Sequence, residues 1–296
     1  MTKTTIVHEG EGVTATLDAD TLAELIRRSR HQVTVNGEHI VQAIAAIIPH
    51  AADDGPKNRV RLHVGHDYLD LIAVSGYSCG VARIDGYALD VDPDDSDWYV
   101  DVSPVELALV AKLFKPPKDM QITLRIDVLK DGRVAFTDAS GLDLGLGRAY
   151  TVPSVGGADK FPDVRNVILG HMNHPRAITG CVTYTGNNLK RFAATAAAYG
   201  LNVVVEPTNS NRPFIVTVGD KFVGALVPVR QENADRPDRA VEKIRNEWRA
   251  RLTVLPPFLA TDHDDDPPEG VDTETGEIQQ PAGDGDAPAG ESANDD

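Results

Sequence analysis

The chain reads as one local pattern written three times, and that repetition constrains the fold more than any single residue does. Each copy is a strand, a short amphipathic helix and three more strands. The helices read at "DTLAELIRRSR" (20–30), "SPVELALVAKLF" (103–114) and "NNLKRFAATAAAYG" (187–200). In the first, Leu22, Leu25, Ile26 and Ser29 share one face at i, i+3, i+4, i+7 spacing. In the second, Ser103 caps, Pro104 takes the first helical position and Glu106 completes an S-x-x-E box. Its apolar side is Val105, Ala108, Leu109 and Leu113, and Pro116 and Pro117 stop it. The third is capped by Asn187, ended by Gly200, and striped by Leu189, Phe192, Ala193 and Ala196. The starts, at residues 21, 104 and 187, are evenly spaced.

"GVTATL", "WYVDV" and "GCVTYT" precede these helices. "RVRLHV", "LDLIAVSG" and "CGVARI" follow the first, "QITLRI", "GRVAFTD" and "LGRAYTV" the second, and "LNVVVEP", "PFIVTVG" and "FVGALVPV" the third. Most are β-branched, alternate partly, and are separated by Gly, Asp or Asn turns. The expected class is α+β: repeated strand–helix–three-strand units, with antiparallel sheets outside and helices on one face, not a parallel βαβ sheet.

Each helix carries cations: Arg27, Arg28 and Arg30; Lys112, with Lys115 and Lys118 behind it; Lys190 and Arg191. A solvated helix face explains any one such group, since cations are favoured near helix C-termini. Three basic helices on one sheet face would gather positive charge on a common surface, which suits nucleic acid. The net charge of −16 conceals this, because residues 261–296 hold nine Asp and four Glu and no Lys or Arg. That tail is poor in large apolar groups and is expected to be disordered; the rest of the chain carries only −3 of the −16.

Other classes are disfavoured. No apolar run reaches the length of a membrane span, and the first residues lack a signal-type core. Cys79 and Cys181 stand far apart without a CxxC pattern, which points to a reducing, cytosolic home. "HVGHD" (His63, His66, Asp67) and "HMNH" (His171, His174) permit a metal-dependent hydrolase as a third reading, although their spacing matches no strong metal signature. A P-loop motif is absent.

"KFPDVRNVIL" (160–169) is too short for a helix by pattern, and Pro162 fits poorly inside a sheet. Together with the repeated unit and the basic helices it resembles the bacterial beta-type DNA polymerase sliding clamp. The likeness runs over residues 13–230 through "TLDADTLAELIRRS", "LDLIAVSGYSCGVARI", "VDVSPVELALVAKLF", "ITLRI", "GRAYTVPSVGGADKFPDVRNVI" and "PFIVTVGDKFVGALVPVR". The "FPDVRNVI" and "LVPVR" pieces are its specific parts, being similar to the family's "FPDYRRVL" and to its terminal strand.

The resemblance implies a shortened, phage-like version. Its parts would be an N-terminal segment (1–12), a complete two-unit domain (13–153), a linker with the FPD segment (154–175), a half domain (176–230), a C-terminal helix and apolar segment (231–259) and the acidic tail (260–296). It implies a processivity factor that is no enzyme, needs no cofactor and works in the cytoplasm without a membrane. Its partners would be double-stranded DNA held without sequence preference, a polymerase and other clamp-binding peptides, a clamp loader, and further copies of itself. DNA would be met by Arg27, Arg28, Arg30, Lys112, Lys115, Lys190 and Arg191. In the family the FPD segment runs extended beside the pocket for partner peptides. Carried over, that pocket is Leu25, Gly76, Tyr77, Pro162, Val167, Val227, Pro228 and Val229. Tyr77, Ser78 and Cys79 replace the family's His-Arg-Leu, and Asn166 replaces its second arginine. An alternative is a clamp-derived peptide-binding protein that does not encircle DNA. Residues 234–252 read as a further helix striped by Val241, Ile244 and Trp248, followed by "LTVLPPFL". This extension either packs on the body or mimics a clamp-binding peptide.

Overall fold

The N-terminal hairpin joins β1 (Ile6–Glu9) to β2 (Gly12–Leu17). β3 (Ser29–Asn36) follows, and its Val33 and Val35 point inward while their neighbours do not. The computed structural model describes residues 6–9, 12–17, 29–85, 89–91, 97–118, 121–140, 147–157, 161–174, 182–207, 212–229 and 237–253. Asn36 turns strand into helix: its side chain accepts from the Glu38 and His39 N–H groups and caps α1 (Gly37–Ile47). Ile40, Ala43, Ile44 and Ile47 form the buried stripe of α1, and Pro49 in the Ile48–His50 turn ends it.

The helix that β3 leads into is α1; of the stretch 20–30 that reads as a helix, only the last two residues are described. Ser29 and Arg30 belong to β3, because the β-branched run Val33–Val35 pairs with a later strand and draws its flank into the ladder. Residues 18–28, with Leu25, Arg27 and Arg28, lie outside the described residues. The meander after α1 is β4 (Val60–Val64), β5 (Tyr68–Val74) and β6 (Ser78–Asp85), followed by a short β7 (Leu89–Val91).

The second unit is β8 (Trp98–Val102), α2 (Pro104–Leu113), β9 (Thr123–Leu129), β10 (Arg133–Asp138) and β11 (Gly147–Pro153). Ser103 occupies the cap position of α2 without a side-chain cap bond. Glu106 does not close the expected box; it is buried and accepts the Tyr150 hydroxyl. α3 (Val164–Met172) comes next. The third unit is α4 (Gly186–Tyr199), β12 (Val203–Glu206), β13 (Phe214–Val218) and β14 (Phe222–Leu226). Thr185 caps α4 in place of Asn187, and Gly200 ends it in the left-handed region at φ 65°. Of "GCVTYT", residues 182–185 are described and form no strand. The second and third expected helix starts fall at 104 and 186, and the first, residue 21, lies outside the described residues.

Every strand pair among the described residues is antiparallel. One sheet runs β1-β2-β11-β10-β9-β3-β7 and the other β12-β13-β14-β6-β5-β4-β8. The class is α+β with antiparallel meanders. α1, α2 and α4 share one core with the inner faces of the strands, through residues such as Ile44, Leu107, Phe192, Leu71 and Phe136. α3 lies on the opposite face of the second sheet, where Val164 and Ile168 pack on Ile72, Cys79, Val81, Ile215 and Ala225. Separately, Pro237–Thr253 forms α5, with Ile244, Trp248 and Leu252 exposed and the Arg251 guanidinium over the Trp248 ring.

Candidate functional site

The helix layer is built around α1, which packs against α2 on one side and α4 on the other. His50, at the end of α1, joins it to α4. Its Nε2 lies 3.0 Å from Thr195 Oγ1, and that hydroxyl donates to the Ala46 carbonyl at 2.8 Å. The ring is fully buried between Phe192 and Phe222. Burial, reinforced by the nearby Arg191 charge, lowers its pKa to about 3, so the imidazole is neutral.

Cations are sparser on this layer than three basic helices would give. α1 contains no Lys or Arg and has Glu38 in its first turn. Lys112 is exposed in the last turn of α2, and Lys115 and Lys118 are exposed just beyond it. Lys190 is exposed on α4, while Arg191 is half-buried and donates to the Ala51 carbonyl at 3.3 Å. Arg30 is on β3 and not on a helix. Between α1 and the segment after α2 lies a cleft of about 590 Å³, lined by Glu38, Val41, Gln42, Lys115, Lys118 and Gln121 among others.

The opposite face centres on α3. The FPD segment turns tightly at Asp163, where the Val164 N–H donates to the Pro162 carbonyl at 2.9 Å and the Asp163 side chain accepts the Asn166 N–H and starts the helix. Val164 and Ile168, four apart, then anchor it to the sheet. Arg165 holds it from the side, donating to the Asp70 carboxylate and to the Tyr68 hydroxyl. Asp70 is fully buried and also accepts two bonds from Arg83, at 2.7 and 2.8 Å. That double bond raises the Arg83 pKa further. Phe161 lies beneath the Arg61 guanidinium, and Arg61 in turn grips buried Asp101 at 2.8 and 3.0 Å.

Clefts flank α3 on both sides. One, of about 430 Å³, is lined by Val81, Ile168, Leu169, Met172 and Val223, with Arg83, Arg165 and Lys221 at its margin. The other, of about 470 Å³, includes Pro162, Arg61, Ile72, Tyr99 and Phe161.

The carried-over pocket residues are distributed as follows. Gly76 and Tyr77 form the β5–β6 turn, which Ser75 and Ser78 brace. The Val227 N–H donates to the Tyr77 carbonyl at 3.0 Å, so this turn and the Val227–Pro228–Val229 segment lie together. Tyr77 and Val229 are exposed and Pro228 is buried. Pro162 lines the 470 Å³ cleft, which neither Tyr77 nor Val227–Val229 lines. Val167 sits on helical backbone with its side chain 46% exposed, and does not continue an extended strand. Cys79 faces α3, and burial raises its thiol to about 11, which leaves it a core residue.

The hydrolase reading finds no support. Among the described residues no group of three or more His, Cys, Asp or Glu could hold a metal ion. His63 is tied to Asp97 at 3.0 Å, and the Arg212 guanidinium abuts His174, where it would repel a bound cation. Sequence reading did not single out His50, Asp70, Tyr68 or Arg83. The one available signal was the Asn36 cap ahead of the Ile40–Ala43–Ile44–Ile47 stripe. Nothing local marks the partner of Asp70, since Arg165 is distant in sequence.

The fold is similar to that of solved DNA polymerase sliding clamps. A candidate DNA polymerase III beta subunit from Eubacterium rectale superposes with a TM-score of 0.52 at 10% identity, over 76% of this chain and 87% of that one. A Pseudomonas aeruginosa DNA polymerase sliding clamp gives 0.50 at 14%, over 77% and 76%. A sliding clamp of the same organism bound to griselimycin gives 0.51 at 12%, over 77% and 90%. No protein-family model and no curated protein matches the sequence. Among the described residues no helix is long and apolar enough to cross a membrane.

Proposed function

We propose that this chain is a shortened, phage-type sliding-clamp processivity factor. It makes and breaks no bond. A complete domain and a half domain set α1, α2 and α4 toward duplex DNA, and several copies assemble around it in the cytoplasm. Lys112, Lys115 and Lys190 meet phosphates without reading bases, so the protein slides. Arg27 and Arg28 precede β3 and add to this charge. Polymerase peptides dock on the outer side, at the Tyr77 turn, the Val227–Val229 segment, the cleft lined by Pro162 and the exposed Val167 of α3. Docking there raises the polymerase concentration at the primer end. A clamp loader opens the assembly onto DNA.

The observation that carries this reading is the shared layer of α1, α2 and α4 beneath antiparallel meanders, in a fold similar to that of the clamp neighbours. The test is topological. Protein incubated at low salt with nicked circular plasmid should survive a high-salt wash and be released when the plasmid is cut once. Equal retention on circular and linear DNA at every salt concentration would refute encirclement.

One observation favours the second reading, a peptide-binding protein that does not encircle DNA: α1, at the centre of the layer, has no Lys or Arg. On that reading a short amphipathic peptide binds while circular DNA is not retained.

A further inference from the structure

The first two units complete one another by exchanging strands. β3, which leads into α1, pairs with β9, the first meander strand of the other unit. β8, which leads into α2, pairs with β4 in the same way. Under this exchange Val60, Leu62 and Val64 of β4 and Leu124 and Ile126 of β9 are all buried.

The third unit holds the same parts. Asp101, three residues before α2, accepts the Val155 N–H at 2.8 Å. Thr183, three residues before α4, accepts the Val229 N–H at 2.9 Å. Val182–Thr185 thus stands in its unit where β8 stands in the second. Its meander opens with β12, which pairs with β13 and ends the sheet. Among the described residues no strand lies along the far side of β12. Val203 and Val205 are registered opposite Val218 and Val216, which are fully buried, so both valines point to the core side. They nonetheless remain 37% and 43% exposed, and Val204 on the other face is 52% exposed. Three valines on a bare sheet edge form a template for another strand.

We infer that a second copy of this chain covers β12. In a two-fold arrangement, Val182–Thr185 of each copy runs antiparallel along Val203–Glu206 of the other. Two half domains from two chains thereby rebuild the domain that β3–β11 form within one chain. The occupant is a second copy because what β12 lacks is a pre-helix segment alongside it, and the third unit carries one in Val182–Thr185, which stands where β8 stands but forms no strand within the single chain. The patch is self-complementary, as a two-fold interface requires. The inference deepens the self-assembly proposed above and rests on that reading only for the presence of more than one copy.

The test uses the full chain. Light scattering should give an even number of copies, and Val205→Lys should halve that mass with an unchanged circular dichroism spectrum. On the unsubstituted protein, amide exchange at high and at dilute concentration gives a second readout. Residues 182–185 and 203–206 should slow together on assembly, by about tenfold or more. This measurement decides if Val205→Lys fails to fold. A monomer at all concentrations overturns the inference, as does a mass that Val205→Lys leaves unchanged. Slowing at 203–206 together with 6–9, but not at 182–185, also overturns it and indicates head-to-tail pairing with β1. An even-numbered assembly that circular DNA does not retain refutes the clamp reading and leaves this pairing intact. A monomer retained on circles overturns this pairing and the several-copy assembly, and leaves only the topological hold on DNA.

Discussion

Replacing His50 by Gln tests whether α1 and α4 are joined as the structure shows. Thr195 donates its hydroxyl proton to Ala46, so it accepts from the His50 Nε2–H. The other ring nitrogen, Nδ1, is buried and has no partner among the described residues. Protonation would put an unpaired donor and a charge between Phe192 and Phe222, with the Arg191 charge nearby. In the unfolded chain His50 titrates near its ordinary 6.5, and in the folded chain near 3. Between those values the unfolded state binds more protons, so stability is fully present above pH 6.5 and is lost as pH falls. Integrating the linkage down to pH 5 gives a loss of about 2 kcal/mol from this one group. The substituted glutamine retains an amide donor for Thr195 and does not titrate. At pH 7 His50→Gln costs about 2 kcal/mol in ring packing. Between pH 7 and pH 5 the variant should lose about 2 kcal/mol less than the parent. Burial lowers the pKa of His39 and His171 as well, but they are common to both proteins and cancel in the difference. Urea unfolding of both proteins at a series of pH values supplies the numbers. Stability curves that run parallel from pH 7 to 5 would refute a neutral, buried His50 and the α1–α4 junction built on it.

Asp70→Ala leaves the Arg83 and Arg165 guanidinium groups without their shared carboxylate. It should lower stability by about 3 kcal/mol in urea unfolding, the low end for a broken buried pair because Arg83 is partly exposed. Gly224→Ala would bring a Cβ to 2.5 Å from the Cys79 carbonyl oxygen and 2.9 Å from the Phe192 ring. The seam between β14 and β6 would have to part, at about 2 kcal/mol or more, read as a lower thermal midpoint. Lys112→Glu and Lys190→Glu, both on exposed positions, should leave folding unchanged. Each should reduce the salt slope of duplex binding by about 1.

The strands were largely legible because alternation and Gly or Asp turns are local signals, and "RVRLHV", "LDLIAVSG" and "PFIVTVG" fall on β4, β5 and β13. α1 was less so: the Asn36 cap and the Ile40–Ala43–Ile44–Ile47 stripe mark it locally, but the pairing of Ser29–Asn36 with β9 is what fixes where its strand ends. The stripe of Leu22, Leu25 and Ile26 lies outside the described residues. Pro162 invited an extended reading of the whole FPD segment. The Asp163 cap and the Val164–Ile168 spacing carried the opposite message over four residues, too few to dominate without the sheet face that receives them. Tertiary partners such as Asp70 with Arg165, or His50 with Thr195, leave no trace in local pattern because their sequence separation exceeds any window.

How firmly the helix layer could hold DNA depends on copy number. Lys112 and Lys190 are single exposed charges, and physiological salt screens such contacts beyond about 8 Å. With α1 lacking cations, one chain offers few phosphate contacts and would bind weakly. A closed assembly does not need tight contacts, since topology keeps the protein on the duplex while loose contacts let it move. The exposed valines of β12 are then directly relevant to function. If copies pair there, a sparsely charged layer suffices for a sliding clamp; if they do not, the same layer favours the peptide-binding protein that leaves DNA alone.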